Sequence, residues 1–303
     1  MDHAWNPAMA SPARTSPGGI FPCAKPPVDT GRHYTMGHMG LFDAFLSKPP
    51  HHAQSVTFFL KGASHVYDDG NVGLNATELT ITPENRRVAV IGLNGSGKTT
   101  LLKLLDGALA PTDGAVRVDA DGTSYDPSVK RDLKRIEGFV GRVRREEIPN
   151  SYYQAASIRE AIDQPLKKHK VPESERQAII GNLFAHFDLA CVAREPASAL
   201  DSEKRHLLAI ASALSFSPAA IVADEPTKGL DEVASAHVAD ALFGYDKQVV
   251  FATHDTNLIT NARYAIDRTL VVDDHDVVFD GTPSDAVAFY ADLVRARYEA
   301  SKS

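Results

Sequence analysis

The amino-acid sequence predicts an α/β domain of three layers, in which a mostly parallel sheet carries helices on both faces. Short apolar runs typical of buried strands alternate along the chain with segments of helical periodicity. A glycine-rich loop also joins one of these strands to a helix. The chain has 303 residues, of which 43% are hydrophobic, so it is long enough to bury the core of one large domain.

The first part of the chain differs in composition from the rest. Prolines and glycines cluster at positions 16–19 and 48–50. Such a segment buries little apolar surface and sustains neither helix nor sheet. We therefore expect residues 1–54 to form a disordered extension and residues 55–303 to form the folded domain.

Strands are predicted wherever β-branched, aromatic or buried apolar residues form short runs. Val56–Leu60 and Leu79–Ile81 are the first two such segments. The run Arg87–Ile91 ends at a glycine, as a buried parallel strand does. Two further buried strands are expected at Ala220–Ala223 and Gln248–Ala252.

Helical periodicity separates these strands. The pattern is clearest where apolar residues at 207, 210, 211 and 214 follow the spacing i, i+3, i+4, i+7. Further helices are predicted over residues 97–105, 157–168, 173–187 and 284–300. Strands that alternate with helices in this way favour a parallel sheet covered on both faces.

Charge and hydropathy argue against two classes of protein. The formal net charge is −7, from 32 basic and 39 acidic residues, which argues against broad nucleic-acid binding because that requires a basic surface. No run approaches the ~18 apolar residues that a membrane-spanning helix needs. If the protein serves a membrane, we expect it to dock on a partner that spans the bilayer.

Residues 92–99 match the phosphate-loop pattern G-x-x-x-x-G-K-[ST] in full. Glycines allow the backbone to wrap around a phosphate chain with its N–H groups pointing inward, and the following helix adds its positive dipole end. In this pattern Lys98 reaches the β- and γ-phosphates and the Thr99 hydroxyl ligates Mg²⁺. A strand precedes the loop and a helix follows it, which favours a nucleotide site over a chance glycine-rich turn.

A pair of carboxylates follows the apolar strand Ala220–Ala223. A buried strand holds Asp224 rigidly, where it can help to bind Mg²⁺, and the adjacent Glu225 can act as general base toward an attacking water. An isolated Asp-Glu pair at the end of a strand is ordinarily surface charge. The intact phosphate loop favours the catalytic interpretation.

The segments 224–227 and 229–231 read Asp-Glu-Pro-Thr and Gly-Leu-Asp, which resemble the Walker B motif and D-loop of ATP-binding cassette (ABC) ATPases. The resemblance covers about residues 55–295. It implies a P-loop NTPase fold with a RecA-like core near 85–135 and 200–275, an antiparallel β subdomain before it and a helical subdomain at about 145–200. It also implies that His254 senses the γ-phosphate and that Tyr67 stacks on adenine. The other nucleotide-binding residues that it implies are Asn94, Gly95, Ser96, Gly97 and Thr100, beside Lys98 and Thr99.

The segments 65–70, 86–97 and 109–114 are similar to the ATPases of energy-coupling-factor importers, with the biotin and cobalt branches closest. This resemblance implies ATP and Mg²⁺ bound between two ATPase subunits on the inner face of the cell membrane. It further implies a transmembrane coupling subunit and a substrate-binding membrane subunit, with no nucleic acid. Two alternatives stay open: a regulatory nucleotide-binding subunit with little turnover, and an ABC ATPase unconnected with transport. The chain has neither a long coiled-coil insertion nor a second cassette, which favours transport.

The chain departs from this family at two motifs. The family signature Leu-Ser-Gly-Gly-Gln corresponds to Leu200–Lys204, so Asp201 replaces the serine and both glycines are absent. Asp201 would then face a phosphate bound to the opposite subunit, which favours a heterodimer with an intact partner over a homodimer. The Phe-Gln of the Q-loop corresponds to Gly141-Arg142, with Gln154 as an alternative substitute for the glutamine.

Overall fold

The computed structural model describes residues 53–145, 147–300 and 302. The predicted disordered extension therefore lies outside the described residues, except at its last two positions. Ala53 packs into the hydrophobic core, and the N–H of Gln54 donates to the carboxylate of Asp121 at 3.0 Å. The folded domain, which was predicted to begin at residue 55, therefore also includes residues 53 and 54. In the described part of the chain, no helix combines the length and the apolarity needed to cross a membrane.

One sheet is antiparallel and has four strands in the order β2-β1-β4-β5. Its strands are β1 (Val56–Val66), β2 (Val72–Ile81), β4 (Asp113–Ala120) and β5 (Thr123–Tyr125). The first two include the predicted strands and extend beyond them, whereas β4 and β5 were not predicted. Residues 113–125 therefore belong to the antiparallel sheet, and their assignment to the RecA-like core was wrong.

The central sheet has six strands in the order β10-β9-β3-β8-β7-β6. They are β3 (Arg87–Ile91), β6 (Val140–Arg144), β7 (Ala220–Asp224), β8 (Gln248–Ala252), β9 (Arg268–Asp273) and β10 (Asp276–Gly281). All neighbours pair in parallel except β9 and β10. The carboxyl ends of β3, β6, β7 and β8 therefore meet at one edge of the sheet, where ligands bind in folds of this class.

The helices occupy the segments between these strands. They are α1 (Lys98–Leu105), α2 (Lys130–Phe139), α3 (Asn150–Gln154), α4 (Ile158–Lys168), α5 (Glu173–His186), α6 (Ser202–Leu214), α7 (Glu232–Gly244), α8 (Thr256–Thr260) and α9 (Pro283–Ala300). The helices predicted at 97–105, 157–168, 173–187 and 284–300 are present with ends that shift by one residue at most, and α6 contains the periodic positions 207–214 but begins five residues earlier. Helices α3 to α5 fall within the segment predicted to be helical at about 145–200.

The central strands contribute to two separate hydrophobic clusters. In β3, Ala89 and Ile91 belong to one cluster, and Val88 and Val90 belong to the other. Successive side chains of a strand point to opposite faces, so each face of the sheet is covered by its own layer. This arrangement confirms the predicted three-layer α/β fold.

Candidate functional site

The phosphate loop connects β3 to α1 and depends on glycine at defined positions. A Cβ on Gly92 would lie 2.1 Å from the carbonyl oxygen of Val272, so no larger residue fits there. Gly97 has φ +110, a conformation that side chains oppose. Lys98 Nζ donates to the backbone carbonyls of Gly92 and Leu93, both at 2.9 Å. Burial lowers the pKa of Lys98, and the nearby carboxylates of Glu225 and Asp224 act in the opposite direction and raise it.

A cavity of about 210 Å³ opens beside this loop. It is lined by Tyr67, Val72, Gly73, Gly95, Ser96, Gly97, Lys98, Thr99, Thr100 and His275. The Tyr67 hydroxyl and Thr100 Oγ1 are hydrogen-bonded at 2.9 Å, so the predicted adenine-stacking tyrosine does lie beside the loop. Asn94 belongs to the same loop but does not line this cavity. The structure thus brings together most of the predicted nucleotide-binding residues.

His275 is a member of this site that the sequence did not reveal. It lies in the turn between β9 and β10, and its backbone N–H donates to the carbonyl of Ser96 at 3.0 Å. Its Nδ1 is 3.3 Å from the carbonyl oxygen of Gly73, which places the imidazole between the antiparallel sheet and the phosphate loop. The contact joins segments about 180–200 residues apart, so no local pattern could have indicated it.

The predicted metal ligands are in direct contact. Thr99 Oγ1, in the first turn of α1, donates to Asp224 Oδ2 at the end of β7, at a distance of 2.8 Å. A hydroxyl and a carboxylate are hard oxygen ligands of the kind that Mg²⁺ prefers. The two residues therefore fit a Mg²⁺ ion bound together with nucleotide phosphates.

Glu225 and His254 meet at the same edge of the sheet. Glu225 Oε1 is 2.8 Å from His254 Nε2, and the Glu225 N–H donates to the carbonyl of Ala252 at 3.0 Å. Burial raises the pKa of Glu225, against the lowering effects of Lys228 and Lys98. Burial also lowers the pKa of His254. Both shifts suit a carboxylate that accepts a proton next to a neutral imidazole.

Among the described residues, no hydrogen bond joins Arg142 or Gln154, the two Q-loop candidates, to the phosphate loop or to the Asp224-Glu225 pair. Arg142 lies within β6, and its guanidinium donates to the backbone carbonyl of Asp106 at 2.7 and 3.2 Å, beside the end of α1 opposite the phosphate loop. Gln154 is exposed at the end of α3. The residue that reaches the catalytic edge is Arg145, whose N–H donates to the carbonyl of Asp224 at 3.1 Å. Arg145 was not among the site residues predicted from sequence.

The segment that corresponds to the family signature begins α6, as the resemblance implies. Asp201 is the N-cap of this helix, and its Oδ1 accepts from the N–H of Lys204 at 2.7 Å. A carboxylate therefore occupies the helix N-terminus, the position where helices otherwise attract phosphate groups.

Comparison with known proteins gives a consistent result. Residues 74–228 match the family model described as ABC transporter. A putative ABC transporter ATP-binding protein of Deinococcus radiodurans is 32% identical over 231 residues, which cover 76% of this chain and 96% of that protein. The nickel import ATP-binding protein NikO of Rhodobacter capsulatus is 32% identical over 252 residues, which cover 79% of this chain and 94% of NikO. The biotin transport ATP-binding protein BioM of Rhizobium etli is 29% identical over 215 residues, which cover 71% of this chain and 90% of BioM.

Solved structures support the same fold. The structure of cbiO1 from Clostridium perfringens, described as part of the ABC transporter complex cbiONQ, superposes with a TM-score of 0.65 and 24% identity. The superposed region covers 79% of this chain and 93% of the cbiO1 chain. A dimeric ATP-binding cassette in a post-hydrolysis state, bound to ADP and phosphate, superposes with a TM-score of 0.61 and 24% identity over 75% and 98% of the chains.

Proposed function

The chain belongs to the ABC transporter family of ATP-binding proteins, and on that premise we propose that it is the ATP-hydrolysing subunit of an energy-coupling-factor importer. The observation that carries the proposal is the meeting of four side chains at one edge of the central sheet. Thr99 Oγ1 lies 2.8 Å from Asp224 Oδ2, and Glu225 Oε1 lies 2.8 Å from His254 Nε2. One pair suits a nucleotide-bound metal, and the other suits proton transfer from water.

The residues of this chain divide the hydrolytic work between them. Lys98 neutralises charge on the β- and γ-phosphates, and the loop N–H groups hold the phosphate chain. Glu225 accepts the proton of the attacking water, for which its raised pKa is suited. An attractive contact with the Glu225 carboxylate requires a proton on His254 Nε2, because a carboxylate only accepts. Thr99 and Asp224 would hold Mg²⁺, which would supply positive charge to offset the charge that develops on the phosphates.

The N-terminus of α6 supports a heterodimer. If ATP lies between the Walker motifs of one subunit and the signature segment of the other, Asp201 faces a γ-phosphate. Two like charges 4 Å apart repel by about 4 kcal/mol at an effective dielectric constant of ~20. A homodimer would contain two such sites. A partner with an uncharged signature would leave one good site, built from the Walker motifs of this chain.

The same carboxylate supports a second candidate function, that of a nucleotide-binding regulatory subunit with little turnover. In this alternative, Asp201 would keep the paired site from closing on ATP. The two functions differ in one observable, which is whether a partner subunit raises the rate of hydrolysis.

Transport partners complete the proposed assembly. The names of NikO and BioM refer to nickel import and biotin transport, which supports a metal ion or vitamin as the cargo of the present system. We propose a transmembrane coupling subunit, a substrate-binding membrane subunit and a second ATPase as partners. The chain would then lie on the inner face of the cell membrane.

The test compares two preparations of the tagged protein. One is the chain purified alone, and the other is the complex that it retains when purified from native membranes. We expect slow hydrolysis by the chain alone and a rate at least about a hundredfold higher in the complex, as removal of a repulsion of about 4 kcal/mol allows. A complex as slow as the isolated chain would instead support the regulatory alternative. Fast, cooperative hydrolysis by the isolated chain would contradict both the heterodimer and the placement of Asp201.

A further inference from the structure

Strand β6 and the residue that follows it carry three arginines, which differ in what they contact. Arg142 and Arg144 are two residues apart and share one face of the strand. Both donate to Asp106, a fully buried residue at the end of α1: Arg142 to its backbone carbonyl and Arg144 to its carboxylate. Among the described residues, Arg145 has no side-chain hydrogen bond or ion pair, and its side chain is exposed.

The backbone places Arg145 at the catalytic edge. Strand β6 pairs in parallel with β7, and Arg144 lies opposite Asp224 in the register. The N–H of Arg145 donates to the carbonyl of Asp224, one residue before the general base. Because Asp106 holds the two preceding arginines, the end of β6 is fixed against α1. Arg145 therefore leaves the sheet at a defined point beside the Walker B carboxylates.

The local conformation is unusual on both neighbouring strand ends. Arg145 has φ +49 and Glu225 has φ +54, so both are in the left-handed region that non-glycine residues rarely adopt. Such conformations cost free energy and persist where the surrounding structure imposes them, often at functional sites. Two adjacent strands thus turn in the same unusual way where their side chains leave the sheet.

We propose that Arg145 is a further catalytic residue of this ATPase, whose guanidinium binds the γ-phosphate of ATP and the charge that develops on it during hydrolysis. This inference rests on the function proposed above and adds a residue to the same site. The geometry supplies a long cationic side chain, free of protein partners in the described structure, next to the residues that hold the metal and the water.

The chemistry agrees with this placement. Phosphoryl transfer gathers negative charge on the oxygens of the transferred group, and a guanidinium can bind two of them at once. The positive charge of Arg145 also acts on Glu225, whose pKa it lowers in opposition to the larger effect of burial. Arg145 is thus close enough to influence the general base electrostatically. A phosphate group beside these carboxylates would bring an anion within reach of the same cation.

The experiment measures nucleotide affinity by calorimetry on the full chain. The probes are Mg·ADP and a Mg-bound ATP analogue with an imido bridge between the β- and γ-phosphates. We compare the parent with Arg145→Lys, Arg145→Gln and Arg145→Gly. The glycine variant removes the guanidinium and relaxes the left-handed backbone, so loss of folding does not confound it. The matched control is Arg131→Gln, which removes an arginine that is highly exposed on α2.

We expect Arg145→Gln and Arg145→Gly to weaken binding of the ATP analogue by about tenfold or more, as loss of a charge-assisted hydrogen bond does. Binding of ADP should change by less than about twofold, because ADP lacks the γ-phosphate. The lysine variant should fall between these and the parent, and Arg131→Gln should match the parent. In the partner complex, the turnover of Arg145→Gln should fall by about a hundredfold or more.

The proposal fails if the variants at 145 lose affinity equally for the ATP analogue and ADP, or if they bind both as the parent does. Unchanged turnover of Arg145→Gln in the complex would overturn it as well. Failure of the proposed function has a different signature, since the parent complex would then hydrolyse ATP no faster than the isolated chain. Lys98→Ala should weaken binding of both nucleotides, which distinguishes a general loss of the phosphate site from the selective loss expected for the variants of Arg145.

Discussion

Glu225 Oε1 lies 2.8 Å from His254 Nε2, across the carboxyl ends of two neighbouring parallel strands. The contact joins the predicted general base to the predicted γ-phosphate sensor. Burial favours the uncharged forms of both side chains, since it raises the pKa of Glu225 and lowers that of His254. The relationship makes Glu225 the most direct test of the proposed hydrolysis.

Replacing Glu225 with glutamine should abolish most ATP hydrolysis while nucleotide binding persists. Glutamine keeps the shape of the side chain but cannot accept the proton of the attacking water. General base catalysis contributes roughly 10²–10⁴-fold, so we expect a fall in kcat of that size. Phosphate release by the partner complex measures the rate, and calorimetry measures the affinity. A variant that retains more than a tenth of the parent rate would exclude Glu225 as the base.

Asp201 should matter for stability in one way and for activity in another. Its carboxylate caps α6, so Asp201→Ala should lower the free energy of unfolding by about 1 kcal/mol, whereas Asp201→Ser should keep the cap. Urea denaturation of the three proteins checks this difference. Equal stability of the alanine variant and the parent would show that the cap contributes nothing.

In the complex with a partner, Asp201→Ser should change the hydrolysis rate little. In the proposed heterodimer, the productive site uses the signature of the partner and the Walker motifs of this chain, so Asp201 faces only the second site. Steady-state hydrolysis by the variant and parent complexes provides the comparison. A large increase in rate would mean that Asp201 faces the productive site, which the heterodimer arrangement does not allow.

Asp106→Ala should destabilise the domain by about 3 kcal/mol. The buried carboxylate is the ion-pair partner of Arg144 and lies 3.5 Å from Arg142 Nε, so its removal leaves the Arg144 guanidinium without a carboxylate in a partly buried site. The control is Asp246→Ala, which breaks an exposed pair with Arg86 and should cost less than about 1 kcal/mol. Thermal or urea unfolding measures both. Similar losses for the two variants would show that the Asp106 cluster adds no special stability.

The local chemistry of the site was predictable from sequence because short segments encode it. The phosphate loop requires glycines and a lysine at fixed spacing. In the structure Gly92 has no room for a Cβ, and Lys98 Nζ folds back onto the loop and donates to the carbonyl of Gly92. The strand before Asp224 was predicted from an unbroken apolar run and is buried over its first four residues. The boundaries of β3 and β8 agree with the predicted bounds, and the apolar run of β3 ends at Gly92.

Other features depend on pairing between distant segments. The strands β4 and β5 were missed, and their residues were assigned to the wrong sheet. Arg142 and Arg145 could not be distinguished by counting along the chain, because only the register between β6 and β7 decides which residue lies next to Asp224. His275 reaches the phosphate loop through a hairpin turn whose position depends on the β9–β3 pairing.

By itself, then, the sequence determined the three-layer class, the phosphate loop and the position of the Asp-Glu pair at the end of a buried strand. Periodicity and backbone-specific residues act over a few positions, so they can be recognised without knowing what lies beside them. Only the tertiary structure decided that Asp201 caps its own helix, that Asp106 engages two arginines and that Arg145 is the residue at the catalytic edge. Those outcomes depend on strand register and side-chain packing, which arise from contacts between segments far apart in the chain.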